Sequence, residues 1–298
     1  MAFNISAISG YIDENSYDLI SKAILETDLS PYFNVRPGLE SKQVDIPVME
    51  NDFVVQDGDS CGFTASGDTT FSQINMKISN LKVNMEFCPQ TLRDTFLSKA
   101  MSSGALQESL SFEELLATDL VSRLQKKNEE IICQGYGSNN GLEDIITTTN
   151  GAVNITASTW TSSNAIEKAT DMYLAMTGDT QMRDDLVLIV SPATFKTIKV
   201  ALVEQNLYHF TPQMTGSDGT QRLFIPGIDV EVAATSGLSN ANKKYLGSRR
   251  DLYMGTSLTS DFEQFRLFYD QGEDTIKGMF RWRLGVAVNN INGWVYEA

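Results

Sequence analysis

The sequence predicts an α+β chain in which β-structure flanks one long helix, and three observations carry that prediction. Residues 43–48 and 71–83 alternate apolar with polar side chains, about two dozen helical residues follow a capping box at Ser111, and residues 265–288 form a second long hairpin. With 298 residues, 42% hydrophobic and 20% charged, the chain has apolar material for a sizeable core and a length that suits one or two domains.

Residues 11–28 are amphipathic, with Asp13 placed to cap a first turn and Tyr17, Ile20 and Ile24 at helical spacing, and the pattern stops before Ser30-Pro31. Val44, Ile46 and Val48 then read as one extended stretch, and Phe71, Ile74, Met76, Ile78, Leu81 and Val83 as another. Between them lies the tip Gln56-Asp57-Gly58-Asp59-Ser60-Cys61-Gly62, so the two stretches form a long hairpin. Its charge is one-sided: positions 43–76 hold Asp45, Glu50, Asp52, Asp57, Asp59 and Asp68 but no Lys or Arg.

Ser111-x-x-Glu114 is a capping box, because the hydroxyl accepts from the amide three residues on while the carboxylate reaches back to the cap N–H. Leu116, Leu120, Leu124 and Ile131 keep one stripe apolar, Gly135 supplies the stop, and the rod is about 35 Å long. Gly135 to Leu142 reads as a tight loop and residues 150–163 as a Thr/Ser/Asn-rich connector. An α/β segment follows: a helix over 164–176, a strand at Leu186–Val190, and a helix opened by Ser191-Pro192. Ile225 to Val232 is a turn feeding a strand, and Tyr245 to Leu258 a strand pair. The terminal hairpin runs Phe265–Tyr269, a turn at Gln271–Asp274, then Ile276–Val288. Ile276, Phe280, Trp282 and Leu284 share one face of its second arm; Lys277, Arg281 and Arg283 share the other.

Composition excludes several function classes. With 23 basic and 38 acidic side chains, a net charge of −15, the chain lacks the cation excess on which affinity for phosphates depends. His209 is the sole histidine, which removes multi-histidine metal sites, and Cys61, Cys88 and Cys133 form no C-x-x-C. The N-terminus lacks the pattern of a signal peptide, and no apolar run reaches the ~20 residues of a membrane helix. Gly135-x-Gly137 with Gly141 follows a helix, whereas a dinucleotide fingerprint must follow a strand, so it reads as a turn. Asp57-x-Asp59 has Cys61 at the next ligand position of a calcium loop and reads as an acidic tip. No Walker loop, H-E-x-x-H or G-x-S-x-G occurs, so no catalytic, cofactor-binding or metal-ligating residue is assigned. The strip of Lys277, Arg281 and Arg283 has two readings, a solvated face or an interface, and the acid-only hairpin is the complementary surface for the second.

The order of these elements resembles the major capsid proteins of tailed bacteriophages, with the HK-ninety-seven-type fold. Ile132-Cys133-Gln134-Gly135-Tyr136-Gly137 with Gly141-Leu142 is similar to the exit of that family's spine helix, and Leu188 to Thr194 to its axial strand and helix start. Ile225-Pro226-Gly227-Ile228-Asp229-Val230 and Arg281 to Val288 fit as well. The resemblance implies an N-terminal arm over 1–35, an extended loop over 36–86, a peripheral domain over 87–155 and 260–298 with a spine helix near 111–134 and a short helix near 89–100, and an axial domain over 156–259. It implies a non-enzymatic shell protein of the virion, assembled in the host bacterial cytoplasm as pentamers and hexamers around double-stranded DNA, without sequence-specific binding, cofactor or membrane. Its partners would be its own copies, a separate scaffolding protein, a portal and decoration proteins. An encapsulin-like compartment is the rival within the fold, and an acidic cytosolic α/β enzyme using carboxylates the rival outside it. The acidic hairpin is expected to meet Arg123, Lys126, Lys127, Lys277, Arg281 and Arg283 of another copy.

Some members of the family link subunits through a lysine in the extended loop. Positions 43–76 hold none, so a denaturing gel of assembled protein should show no ladder of linked subunits traceable to this hairpin.

Overall fold

The fourteen-residue strand Thr275–Val288, which alternates buried with more open positions as far as Trp282 and is buried throughout from there on, is the strand around which one half of the molecule is built. The structure is a computed structural model, and it describes residues 18–39, 41–51, 54–55, 67, 69–88, 112–137, 139–149, 151–207, 223–257, 264–273 and 275–298. The expected arm before residue 18, the hairpin tip with Cys61, the Ser111 cap, the helix near 89–100 and His209 lie outside those residues.

In chain order the strands are β1 (Asn34–Arg36), β2 (Gln43–Asn51), β3 (Thr69–Lys77), β4 (Ser79–Phe87), β5 (Gly135–Tyr136), β6 (Asn139–Asn140), β7 (Val153–Ile155), β8 (Leu186–Val190), β9 (Leu223–Ile225), β10 (Val230–Ala234), β11 (Lys244–Ser248), β12 (Leu252–Thr256), β13 (Gln264–Asp270), β14 (Thr275–Val288) and β15 (Val295–Glu297). The helices are α1 (residues 18–25), α2 (Phe112–Gln134), α3 (Leu142–Thr148), α4 (Ala165–Leu174), α5 (Gly178–Gln181) and α6 (Pro192–Glu204).

A five-stranded sheet has the order β1-β12-β14-β13, with β4 also paired to β14. The apolar residues Ile276, Phe280, Trp282 and Leu284 share one core with Leu120, Val121 and Leu124 of α2, so the long helix lies across that face. Phe280 packs edge-on to Phe265 at 5.7 Å and against Trp282 at 4.8 Å. A six-stranded sheet has the order β7-β15-β11-β8-β10-β9. Leu186, Leu188 and Val190 of β8 face a core closed by α4 and α6. Val187 and Ile189 face the core shared with Ile132 of α2 and with Leu142 and Ile146 of α3. Both faces of β8 are covered, which is why its sequence is apolar without alternation.

The local signals hold where the structure describes them. Ser191 Oγ accepts from Thr194 N at 3.3 Å with Pro192 in the first turn of α6. Helix α2 ends at Gln134 and Gly135 enters the left-handed region at φ +80°, after which β5 and β6 form a tight antiparallel pair. The loop is a turn, as its position after a helix required.

Hydrogen-bond ladders cut across three of the expected segments. Residues 71–83 are two strands, not one: the chain breaks at Ile78, β3 returns along β2, and β4 joins β14 in the large sheet. The residues from Tyr245 onward are two strands that do not pair. β11 belongs to the six-stranded sheet, β12 to the five-stranded one, and Arg249–Asp251 form the 3-10 turn between them. The C-terminal strand β15 leaves the hairpin's sheet and completes the other, pairing β11 and β7. A buried pair marks that junction: Lys244 Nζ stands 3.4 Å from Glu297 Oε2, which also accepts from Trp160 Nε1 at 2.8 Å. Burial lowers the Lys244 pKa against the opposing pull of Glu297.

The α2 exit is closed by contact between backbones. A Cβ on Gly141 would stand 2.2 Å from the Gly135 nitrogen and 2.4 Å from the Cys133 carbonyl oxygen. Main-chain atoms cannot rotate aside, so Gly141→Ala should cost about 1–3 kcal/mol or more, measured as a lowered denaturation midpoint at unchanged slope.

Candidate subunit interface

Because successive side chains of a strand point to opposite faces, residues opposite in parity to the core positions of β14 stand on the far side of the sheet from α2. In register on that outer face, Lys277, Met279, Arg281 and Arg283 are flanked on β4 by Glu86, Asn84, Lys82 and Asn80. On β13, Phe268 lies beside Lys277 and Arg266 beside Met279. The expected basic strip is therefore real as a register but uneven as a surface.

Lys277 is neutralised within its own hairpin, 2.7 Å from Asp270 Oδ2 and 2.5 Å from Glu273 Oε2. These hydrogen bonds raise the Lys277 pKa and lower that of Asp270. Arg283 is 9% exposed, whereas both readings of the strip, solvated face or interface, put it on an open surface; the β3–β4 junction covers this end of the strand, where a Cβ on Gly285 would stand 2.4 Å from the Lys77 carbonyl oxygen. Arg281 is exposed. Its neighbours in space, exposed Lys82 and Arg266, went unnoticed in the sequence because they lie on other strands; only the ladder joins them. Among the described residues no carboxylate forms an ion pair with Lys82, Arg266 or Arg281. A groove of about 430 Å³ beside them is lined by Lys82, Asn84, Glu86, Phe268, Lys277 and Met279, with Phe268 half exposed.

The other three cations are on a different surface. Arg123 pairs with Asp119 at 2.8 Å and Lys127 with Glu130 at 2.5 Å, both along the exposed side of α2, and exposed Lys126 lines a small cleft there. Since α2 covers the core face of the sheet, these residues and the β14 strip cannot form one patch.

On the acidic hairpin, β2 and β3 pair from Gln43↔Lys77 to Asn51↔Thr69. Ile46 and Met76 are buried with Ile78 and Ala287, which anchors its base on the large sheet. Asp45 is exposed and accepts from Asn75 Nδ2 at 3.0 Å. Glu50 lies opposite Thr70; Asp52, Asp57, Asp59 and Asp68 lie outside the described residues. Farther out the hairpin is not only acidic: Phe71 is 77% exposed and Val55 95%. An extended ribbon with exposed aromatic and aliphatic side chains is an incomplete surface.

No family model and no curated protein matches the sequence. Solved structures do. The satellite phage P4 procapsid, which includes a size determination protein, superposes with a TM-score of 0.62 at 10% identity over 95% of this chain and 90% of that one. The capsid of an empty GTA particle gives 0.56 at 12% identity over 93% and 89%. This chain has the fold of tailed-phage capsid proteins. A virus-like particle from Pyrococcus furiosus has the same capsid fold, with a TM-score of 0.54 at 14% identity over 94% and 96%. Among the described residues of this capsid-fold chain, no helix is long and apolar enough to cross a membrane and no group of three or more His, Cys, Asp or Glu could hold a metal ion.

Lys82 and Arg281 are directly opposite like charges, which cost stability in an isolated subunit. Lys82→Glu should therefore stabilise unassembled protein by about 0.2–1 kcal/mol in urea denaturation, with the gain shrinking as salt is added.

Proposed function

We propose that this chain is a major capsid protein: a structural subunit that assembles through pentamers and hexamers into an icosahedral shell around double-stranded DNA. The observation that carries the reading is agreement with capsid structures over nine-tenths of the chain, combined with an acidic, partly apolar hairpin and an outer sheet face on which Lys82, Arg266 and Arg281 form no ion pair with a carboxylate among the described residues. In this reading the hairpin of one copy lies over the β4-β14-β13 face of the next. Asp45, Glu50, Asp52, Asp57, Asp59 and Asp68 meet Lys82, Arg266 and Arg281, and Phe71 supplies contact area. Charge pairing across such a contact sets orientation and partner choice more than affinity. Lys277 and Arg283 contribute little, being engaged or covered, and Arg123, Lys126 and Lys127 face a separate neighbour. The five-stranded sheet with α2 serves as the peripheral part and the six-stranded sheet as the axial part. A scaffolding protein, a portal and decoration proteins are the further partners, and the virion, assembled in the bacterial cytoplasm, is the place. The net charge of −15 opposes tight contact between wall and packaged DNA.

A second reading, an encapsulin-like compartment, is favoured by the agreement with the Pyrococcus particle; extraction of nucleic acid or of a single protein cargo from purified shells separates the two. For the carboxylate-enzyme reading the relevant group is the cleft beside Glu129, but both oxygens of that side chain accept structural hydrogen bonds.

Expressed protein viewed by negative-stain microscopy should form closed shells or capsomer rings. Arg266→Glu with Arg281→Glu should abolish them while circular dichroism stays native, and Asp45→Lys with Asp68→Lys in the same chain should restore them in part. Stable monomers from the unmodified chain, or normal shells from the double reversal, would overturn the proposal or its interface respectively.

A further inference from the structure

Where the chain leaves α1, Leu29 is fully buried and its amide has no helical partner. A buried N–H must be satisfied, and here the acceptor is a side chain one hundred residues away: Leu29 N donates to Glu129 Oε1 at 2.9 Å. Glu129 lies on the inner side of α2 and is 2% exposed. Its second oxygen accepts from Thr235 Oγ1 at 2.5 Å, in the loop that follows β10. Thr235 is itself fully buried, and its hydroxyl accepts from Gly237 N at 3.0 Å. Gly237 sits so close to α2 that a Cβ there would stand 2.3 Å from the Glu129 carbonyl oxygen. One carboxylate thus joins three parts of the fold that are far apart in sequence: the segment after α1, the long helix and the loop at the end of β10 in the six-stranded sheet.

The surroundings are poorly suited to a negative charge. A cleft of about 160 Å³ at this junction is lined by Glu26 and Asp28 from the first segment, Lys126 and Glu129 from α2, and uncharged Ser236 from the loop. The thiol of Cys133, one helical turn on, is held neutral by burial, and Glu143 of α3 behind it is engaged by Lys243 at 2.8 Å. Lys126, exposed, is the one cation lining the cleft among the described residues. Burial raises the Glu129 pKa, and the charge of Asp28 raises it further, against hydrogen bonds from the Thr235 hydroxyl and from the Leu29 and Asp28 amides. The Asp28 pKa is raised by burial as well.

Proton uptake would remove that penalty without losing a hydrogen bond. A protonated carboxyl keeps its carbonyl oxygen for Leu29 N–H, and its O–H can donate to Thr235 Oγ1, since a hydroxyl both gives and accepts and turns to suit. We propose that Glu129 is a proton-sensitive clamp, holding the segment around Leu29 and the Thr235 loop to the long helix more tightly in acid than at neutral pH. The sign follows from linkage. A carboxyl whose folded pKa lies above its unfolded one binds more protons when folded, so stability is greatest below the unfolded pKa and declines as pH rises through the folded one. The clamp lies inside one subunit and is independent of whether the chain forms a shell.

The test is hydrogen exchange by mass spectrometry on unassembled full-length protein, with rates referred to an unstructured peptide at each pH. Between about pH 8 and about pH 5, protection of the peptide containing Leu29 should rise at least about threefold, each unit of raised pKa being worth up to about tenfold, while a β8 peptide stays unchanged. Glu129→Gln, which keeps the acceptor for Leu29, should abolish the dependence and show the acid-like protection throughout. Asp28→Asn, a milder change, should shift the transition to lower pH. Protection at Leu29 that is flat in the unmodified chain, a dependence that survives Glu129→Gln, or, should that variant not fold, a transition unmoved by Asp28→Asn would each overturn the clamp.

Discussion

The molecule depends on the strict parity of β14. One set of side chains, Ile276 through Leu284 in steps of two with Gly278, is committed to the core under α2, and the other set is thereby committed to the opposite face. A slip of one residue would bury Lys277 and Arg281 and expose Phe280 and Trp282, so the register is held by the full free energy of that core. The strand then organises its neighbours: β4 along Ile276–Leu284, β13 along Thr275–Arg281 and β12 along Leu284–Val288 are each set in place by pairing with it. The outer basic face is a by-product of the same parity, since Lys82 and Arg266 become neighbours of Arg281 only through those ladders.

The two sheets are not independent. The core that lies under β14 continues through Ile132 and Cys133 of α2 to Val187, Ile189 and Tyr245 of the six-stranded sheet. The long helix is a shared wall. Polar ties reinforce it at buried points: Asn128 Nδ2 donates to Ala23 O at 2.8 Å, Gln134 Nε2 to Gly237 O at 2.7 Å, and Glu129 accepts from both sides. The 3-10 turn between β11 and β12 is fastened in the same manner, with Arg183 on Asp251 at 3.0 Å and Ser248 on Asp185 at 2.5 Å. Buried polar groups of this kind contribute specificity, because each is costly in any arrangement that leaves it unpaired.

Much of the fold was legible in the order of local signals. The end of α2 at Gly135, the Ser191-Pro192 start of α6, the apolar run of β8 and the terminal hairpin each follow from residue chemistry over a few positions. The candidate interface was legible in half. The acid-only hairpin shows directly in the text, whereas the candidate basic surface differs in membership from the strip read along β14: Lys277 is engaged by Asp270 and Glu273, Arg283 is covered, and Lys82 and Arg266 join Arg281 from other strands. Glu129 gave no signal at all, since a glutamate within a long charged helix reads as solvated until a tertiary neighbour takes its hydrogen bonds.

What the sequence by itself determined is what local periodicity and composition encode: an α+β chain, its long helix, the parity of β14 and the segregation of acid into one hairpin. Those properties depend on residues close together along the chain. The tertiary structure alone decided which strands pair, that β11 and β12 part company and β15 crosses to the other sheet, which cations on the outer face lack a carboxylate partner among the described residues, and which carboxylates are buried. Each of these is fixed by contacts between residues tens to hundreds of positions apart, where a hydrogen-bond ladder or a shared core makes the choice and no local pattern records it.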